Sequence, residues 1–179
     1  MFSRDNLIAD CKAAVTSGAG AQAAVRDILT RAVSDPGAVL KELGEPEKGG
    51  VVKVYDSEDL TIINVIWSPY MTIMPHNHEM WANIGIYTGR EDNIFWRRMP
   101  ESEDGKVEAA GAKSLETKDA TTLGRDIIHS VTNPLPRLTG AIHIYGGDFF
   151  RVARSEWDPE THHEQAYDME KNLKMLEDA

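Results

Sequence analysis

The stretch Pro75-His76-Asn77-His78 decides how this sequence is read, together with Asp126-Ile127-Ile128-His129-Ser130-Val131-Thr132-Asn133 further along. On a β-strand, residues i and i+2 project from the same face, so the imidazoles of His76 and His78 can converge on one ion. His129 lies 51 positions beyond His78 and supplies a third imidazole. Imidazole suits iron, zinc, copper and nickel, so the donor set alone does not name the metal. An HxH pair is a weak signal by itself, and its meaning depends on its surroundings.

Those surroundings are β-rich. Residues 51–55, 60–67, 71–74, 81–88, 93–98, 114–118, 127–132, 138–145 and 149–152 are short runs of β-branched, aromatic and aliphatic side chains. Turn signals such as Asp56-Ser57 and Glu103-Asp104-Gly105 separate them, and Arg90-Glu91-Asp92 reads as a charged hairpin turn. Many short strands at such spacing point to an antiparallel sandwich or barrel. Ahead of them, residues 4–46 read as helical. Residues 6–15 are rich in Ala, Leu and Ile, and Ala21–Val33 sets Ala24, Val25, Ile28, Leu29 and Ala32 at three-and-four spacing. Pro36 can open a third helix that runs to Leu43, and residues 44–50 (GEPEKGG) form a linker. After Arg154 the chain turns polar and acidic, with a terminal helix expected over 167–176. The expected organisation is one domain over 1–179: a helical subregion (1–49), a barrel (50–153) and a C-terminal extension (154–179).

A formal net charge of −10 argues against a nucleic-acid or anionic-membrane partner, because phosphates reward clustered Lys and Arg. The single cysteine, Cys11, cannot form an intramolecular disulfide, which favours a reducing compartment. The charged N-terminal residues Arg4, Asp5, Asp10 and Lys12 interrupt any signal-peptide pattern, so a cytoplasmic location is expected.

The two histidine motifs resemble those of the cupin superfamily, the double-stranded β-helix barrels. The first cupin motif has HxH, usually a glutamate four or five residues on, and then a glycine. Here His76-Asn77-His78 and Gly89 fit, but Ala82 or Asn83 stands at the glutamate position. The second motif ends in H-x3-N, as His129-Ser130-Val131-Thr132-Asn133 does. The resemblance implies a mostly β fold: a cupin (double-stranded β-helix, jelly-roll) barrel with an N-terminal helical subregion and a short C-terminal helix. It also implies metal ligation by His76, His78 and His129.

Without the carboxylate, the ligand set is three neutral histidines, and three-histidine cupins look most like the thiol dioxygenases, such as cysteine dioxygenase and 3-mercaptopropionate dioxygenase. Trp67 lies nine residues before His76, as a tryptophan does in that family. Gly140-Ala141-Ile142-His143-Ile144-Tyr145 resembles its S-x-H-x-Y strand, which implies catalytic roles for His143 and Tyr145. Residues 85–93 (GIYTGREDN) and 143–161 (HIYGGDFFRVARSEWDPET) also look like a bacterial group of double-stranded β-helix metalloenzymes without a settled activity. Three departures stand out. Ala141 replaces the serine, the cysteine that crosslinks to tyrosine in animal enzymes has no counterpart, and 51–55 lacks the arginine that holds the substrate carboxylate. Lys53, Arg97 and Arg98 are the candidate replacement cations, and Trp67 and Asn83 the other candidate substrate contacts. Glu79 reads as a surface or hinge carboxylate, and His162-His163 as solvated.

The expected chemistry follows from charge. Three neutral imidazoles leave Fe(II) uncompensated, which favours an anionic ligand such as a thiolate. A small thiol and O2 binding side by side would give a sulfinate, with Tyr145 donating a hydrogen bond to oxygen and His143 orienting it. The competing expectations are a lyase, isomerase or hydrolase using Zn, Ni or Mn as Lewis acid, and a small-molecule-binding cupin without turnover. Cupins often pair through barrel faces, which makes a homodimer the default.

Overall fold

The computed structural model describes residues 2–102 and 105–178. The turn expected at Glu103-Asp104 therefore lies outside the described residues. Three helices come first: α1 (Arg4–Thr16), α2 (Ala21–Val33) and α3 (Pro36–Leu43). Each start has a local cause where the sequence supplies one. Ser3 accepts from the Asn6 amide, and Asp35 accepts from the Ala38 amide with Pro36 opening the first turn.

Eleven strands and a last helix follow among the described residues. They are β1 (Gly50–Asp56), β2 (Thr61–Trp67), β3 (Thr72–His76), β4 (Ala82–Thr88), β5 (Arg90–Arg98), β6 (Val107–Glu116), β7 (Ala120–Leu123), β8 (Ile128–Thr132), β9 (Thr139–Tyr145), β10 (Ser155–Trp157), β11 (Glu164–Ala166) and α4 (Met169–Asp178). They form two antiparallel sheets, ordered β1-β2-β9-β4-β7 and β11-β10-β3-β8-β5-β6. From β2 to β9 the chain crosses between sheets at nearly every step, staying in one sheet only for the β5–β6 hairpin. The eight-strand core is thus β2-β9-β4-β7 facing β3-β8-β5-β6, the strand order of a jelly roll.

Alternation along the strands sorts two cores. Ile63, Val65, Trp67, Ala141 and Tyr145 point between the sheets with Ile73, Ile84 and Val131. Ile62, Ile142 and Ile144 point outward, where Leu7, Val25, Leu29, Val33 and Val39 of the helices cover them. Covered on both faces, β9 is buried at all seven residues, which explains its nearly unbroken apolar reading. Gly85 makes the helix–sheet approach close: a Cβ there would lie 2.8 Å from Leu29 Cγ. Gly89, at φ +84°, makes the turn between β4 and β5, leaving Arg90-Glu91-Asp92 on the strand rather than in the turn.

Four further sequence expectations change. Strand β6 ends at Glu116 and begins at Val107, earlier than the run at 114–118 suggested. Strand β7, Ala120-Thr121-Thr122-Leu123, carries little strand signal in sequence because only Leu123 is a strong hydrophobe. Residues 149–152 form a turn, since Asp148 accepts from the backbone amides of Arg151 and Val152. The polar tail after Arg154 adds the β10–β11 hairpin, anchored by the buried Trp157, whose indole N–H donates to Gly105 O (2.9 Å). Among the described residues no helix is long and apolar enough to cross a membrane.

Candidate metal centre

His76 is the last residue of β3 and pairs in register with His129 of β8. His78 lies beyond the strand, so the expectation of two ligands on one strand face holds only for the first. Asn77 breaks the ladder. Its side-chain oxygen accepts from Ser155 N (2.8 Å), its backbone amide donates to Ser155 O (3.1 Å), and its Nδ2 donates to Glu79 Oε1 (2.7 Å). With Glu79 at φ +56°, this clamp turns His78 inward to 2% exposure.

The three histidines are buried, and one ligand nitrogen from each lies within 4.8 Å of the others. No carboxylate or thiolate joins that cluster among the described residues. The Nε2 atoms of His78 and His129 are 3.3 Å apart. His76 spends Nδ1–H on Met74 O (3.0 Å), and His129 spends Nδ1–H on Asn93 Oδ1 (2.7 Å), leaving both Nε2 lone pairs free. Burial pushes the His76 imidazole down to about 4 and holds His78 and His129 well below the usual histidine range. All three imidazoles are therefore neutral, with nitrogens converging at one buried point, and this donor set fits a divalent transition metal.

The chamber beside this cluster is about 40 Å³. Trp67, His143 and Tyr145 line it from the barrel strands, and Phe149, Tyr167 and Leu173 line it from the segments that follow β9. The Tyr145 ring packs edge-on to His78 at 5.0 Å and stacks on Phe149 at 4.3 Å. Its hydroxyl is 3.1 Å from His143 Nδ1, and burial raises its pKa, keeping it a phenol.

Two residues that matter here were not legible as site residues. Glu91 is fully buried on β5, where its carboxylate accepts from Trp67 Nε1 (2.9 Å), Asn93 Nδ2 (3.1 Å) and His143 Nε2 (3.2 Å). Arg90 and Asp92 pair with each other on the opposite face, so strand alternation separates the three charges. Arg154 is 7% exposed, with its guanidinium 4.3 Å from the Phe149 centroid and 4.1 Å from the Tyr167 centroid. Nη1 donates to Phe149 O (2.5 Å), while Nε and Nη2 are buried with only the Tyr167 side chain beside them as a hydrogen-bonding group.

The cations expected from sequence lie elsewhere. Lys53 pairs with Asp56 (2.8 Å), Arg97 with Glu108 (2.8 Å), and Arg98 with Glu164 (2.7 Å); none lines the chamber. Asn83 faces α2, donating to Gln22 O (3.0 Å), because it sits on the outward phase of β4. Trp67 does line the chamber, and its indole N–H donates to the Glu91 carboxylate. His162 is half-buried against the Trp96 ring at 5.3 Å rather than solvated.

No family model matches the chain. Among solved structures, an RmlC-like cupin family protein from Methanocaldococcus jannaschii aligns at 8% identity and a TM-score of 0.48, covering 59% of this chain and 85% of its own. An uncharacterised protein with a double-stranded β-helix domain from Klebsiella pneumoniae aligns at 11% identity and a TM-score of 0.42, covering 69% and 90%. A mutant of Bacillus subtilis oxalate decarboxylase aligns at 16% identity and a TM-score of 0.46, covering 63% of this chain and 29% of that one. The fold stands on the strand order itself: two antiparallel sheets wound as a cupin-type double-stranded β-helix, with a buried three-histidine cluster between them.

Proposed function

We propose that this protein is a non-haem iron dioxygenase that adds O2 to the sulfur of a small, carboxylate-bearing thiol: RSH + O2 gives RSO2H, with both oxygens on sulfur and no outside reductant. The observation that carries the proposal is the ligand set of three imidazoles without a carboxylate, beside the buried Tyr145 hydroxyl. His76, His78 and His129 would hold the metal, which would supply an uncompensated dication favouring a thiolate ligand and one-electron chemistry toward O2.

The chain's own residues supply binding, proton handling and exclusion of water. Arg154 does not itself line the chamber but packs on two residues that do, Phe149 and Tyr167, and is the cation we assign to the substrate carboxylate, with buried Nε and Nη2 donors to offer it. A free thiol is mostly protonated near neutral pH, so its proton needs a destination. Tyr145 passes its hydroxyl proton to His143 Nδ1 and takes up the thiol proton. His143 becomes cationic beside the Glu91 carboxylate, which stabilises it there. The phenol then faces the chamber as a donor where negative charge develops on oxygen. Phe149, Tyr167 and Leu173 keep water out, and the narrow chamber selects small substrates.

The test is anaerobic loading with Fe(II), followed by oxygen-electrode assays with 3-mercaptopropionate, cysteine and 1-propanethiol. O2 uptake matched by sulfinate is expected with a carboxylate-bearing thiol. No uptake with any small thiol would sink the proposal.

A further inference from the structure

We infer that Glu91 is a positioning residue that sets the proton on the metal-ligand histidine His129, acting at one remove through Asn93. The inference rests on His129 being a ligand, and it is independent of which reaction the metal serves.

The groups form one branched chain of hydrogen bonds inside the barrel. One arm runs from Glu91 Oε2 to His143 Nε2 (3.2 Å) and on from His143 Nδ1 to the Tyr145 hydroxyl (3.1 Å). The other runs from Glu91 Oε1 to Asn93 Nδ2 (3.1 Å) and from Asn93 Oδ1 to His129 Nδ1 (2.7 Å). Trp67 Nε1 anchors the branch point on Oε2 at 2.9 Å. Glu91, Asn93, His129, His143 and Tyr145 are all at most 3% exposed, so water is not a ready substitute for any partner.

Donor and acceptor roles then follow in sequence. The indole N–H of Trp67 can only donate, and Glu91 accepts at both oxygens. Facing an acceptor, Asn93 must turn its NH2 toward Glu91 and its oxygen toward His129. Facing that oxygen, His129 must carry its proton on Nδ1. Its Nε2 is then a lone pair aimed at the point where His78 Nε2 also arrives, 3.3 Å away. The reversed Asn93 would set oxygen against oxygen at Glu91. The buried charge at 91 therefore decides which nitrogen of His129 is free to bind a metal.

A single atom exchange should break this order. In Glu91→Gln the amide oxygen must stay on the Trp67 side, because Trp67 has nothing but a donor to offer. The new NH2 faces Asn93, which must flip to accept from it. Asn93 Nδ2 then points at His129 Nδ1, so the proton moves to Nε2 and blocks the ligating atom. The His143 arm keeps its hydrogen-bond acceptor and loses only the negative charge beside it. Adding Asn93→Asp should restore order: the carboxylate introduced at position 93 accepts from the new amide at position 91 on one side and from His129 Nδ1–H on the other.

The test titrates metal-free wild type, Glu91→Gln and the double variant Glu91→Gln/Asn93→Asp with Co(II) alone, reading the visible absorption of the bound ion in competition with a chelator. Glu91→Gln should bind about 10- to 100-fold more weakly, with the double variant back to within about threefold of wild type. Nitrogen NMR of the imidazoles in metal-free wild type should find the His129 proton on Nδ1, a measurement that stands even where a variant does not fold. A His129 proton on Nε2, a folded Glu91→Gln with wild-type affinity, or a folded double variant no tighter than the single one would each overturn the inference. Wild type that binds no Co(II) would instead overturn the ligand assignment beneath it.

Discussion

Arg154→Met separates binding from folding in a way that few buried-charge substitutions do. The wild-type guanidinium gains one charged hydrogen bond to Phe149 O, about 1.5–3 kcal/mol, and contacts with two ring faces at up to about 2 kcal/mol each. Against this stand two buried donors, Nε and Nη2, with no well-formed hydrogen bond, each costing up to about 1–3 kcal/mol, together with the desolvation of the charge itself. The opposing contributions are of similar size, and methionine fills much of the volume. The metal-free variant should therefore unfold in urea within about 2 kcal/mol of wild type. Breaking a paired buried charge would cost about 3–5 kcal/mol. Binding should respond differently, because a substrate carboxylate loses a desolvated cationic partner worth about 2–5 kcal/mol. For 3-mercaptopropionate, KM should rise roughly 30-fold or more, while kcat/KM for 1-propanethiol changes less than about threefold. Arg154→Met with an unchanged preference for the acid over the alkane thiol would refute the assignment of Arg154.

Two further outcomes follow from the packing. Gly85→Ala would drive a Cβ to 2.8 Å from Leu29 Cγ and 2.9 Å from Val33 Cγ1, so the urea midpoint should fall by the equivalent of about 1–3 kcal/mol with the metal affinity unchanged. Burial raises the Cys11 thiol from 9.0 to about 12, which lowers its thiolate fraction at pH 8 by roughly a thousandfold. The native protein should consequently react with a disulfide reagent far more slowly than the urea-unfolded chain, and the native rate should keep climbing with pH beyond 9. Equal native and unfolded rates at pH 8 would contradict that burial.

The histidines and the barrel were legible because their signals are local: HxH spacing, β-branched runs and turn residues. Helices α1 to α3 were legible for the same reason, with Pro36 and the three-and-four spacing in 21–33 marking them. What escaped was set by partners distant in sequence. Glu91 sits between two charges of a hydrophilic triplet, and only the start of β5 at Arg90 turns it inward toward Trp67 and His143. Alternation of Glu91, Asn93 and Phe95 along that strand was the available clue, hidden by taking the triplet as a turn. Arg154 lies outside the barrel in sequence and comes to lie against Phe149 and Tyr167 of the chamber wall only through the turn at Asp148. Lys53, Arg97 and Arg98 looked suitable by charge and proximity in sequence, yet each is matched by a nearby carboxylate on the surface.

The central claim is the transfer of both oxygen atoms to sulfur at the three-histidine site. Its most direct test is a single-turnover reaction of Fe(II)-loaded protein with 3-mercaptopropionate under heavy-isotope O2, followed by mass spectrometry of the product. The expected product is the sulfinate with both oxygens labelled, absent from His129→Ala. Disulfide as the sole product, label in only one oxygen, or equal yield from His129→Ala would contradict the claim.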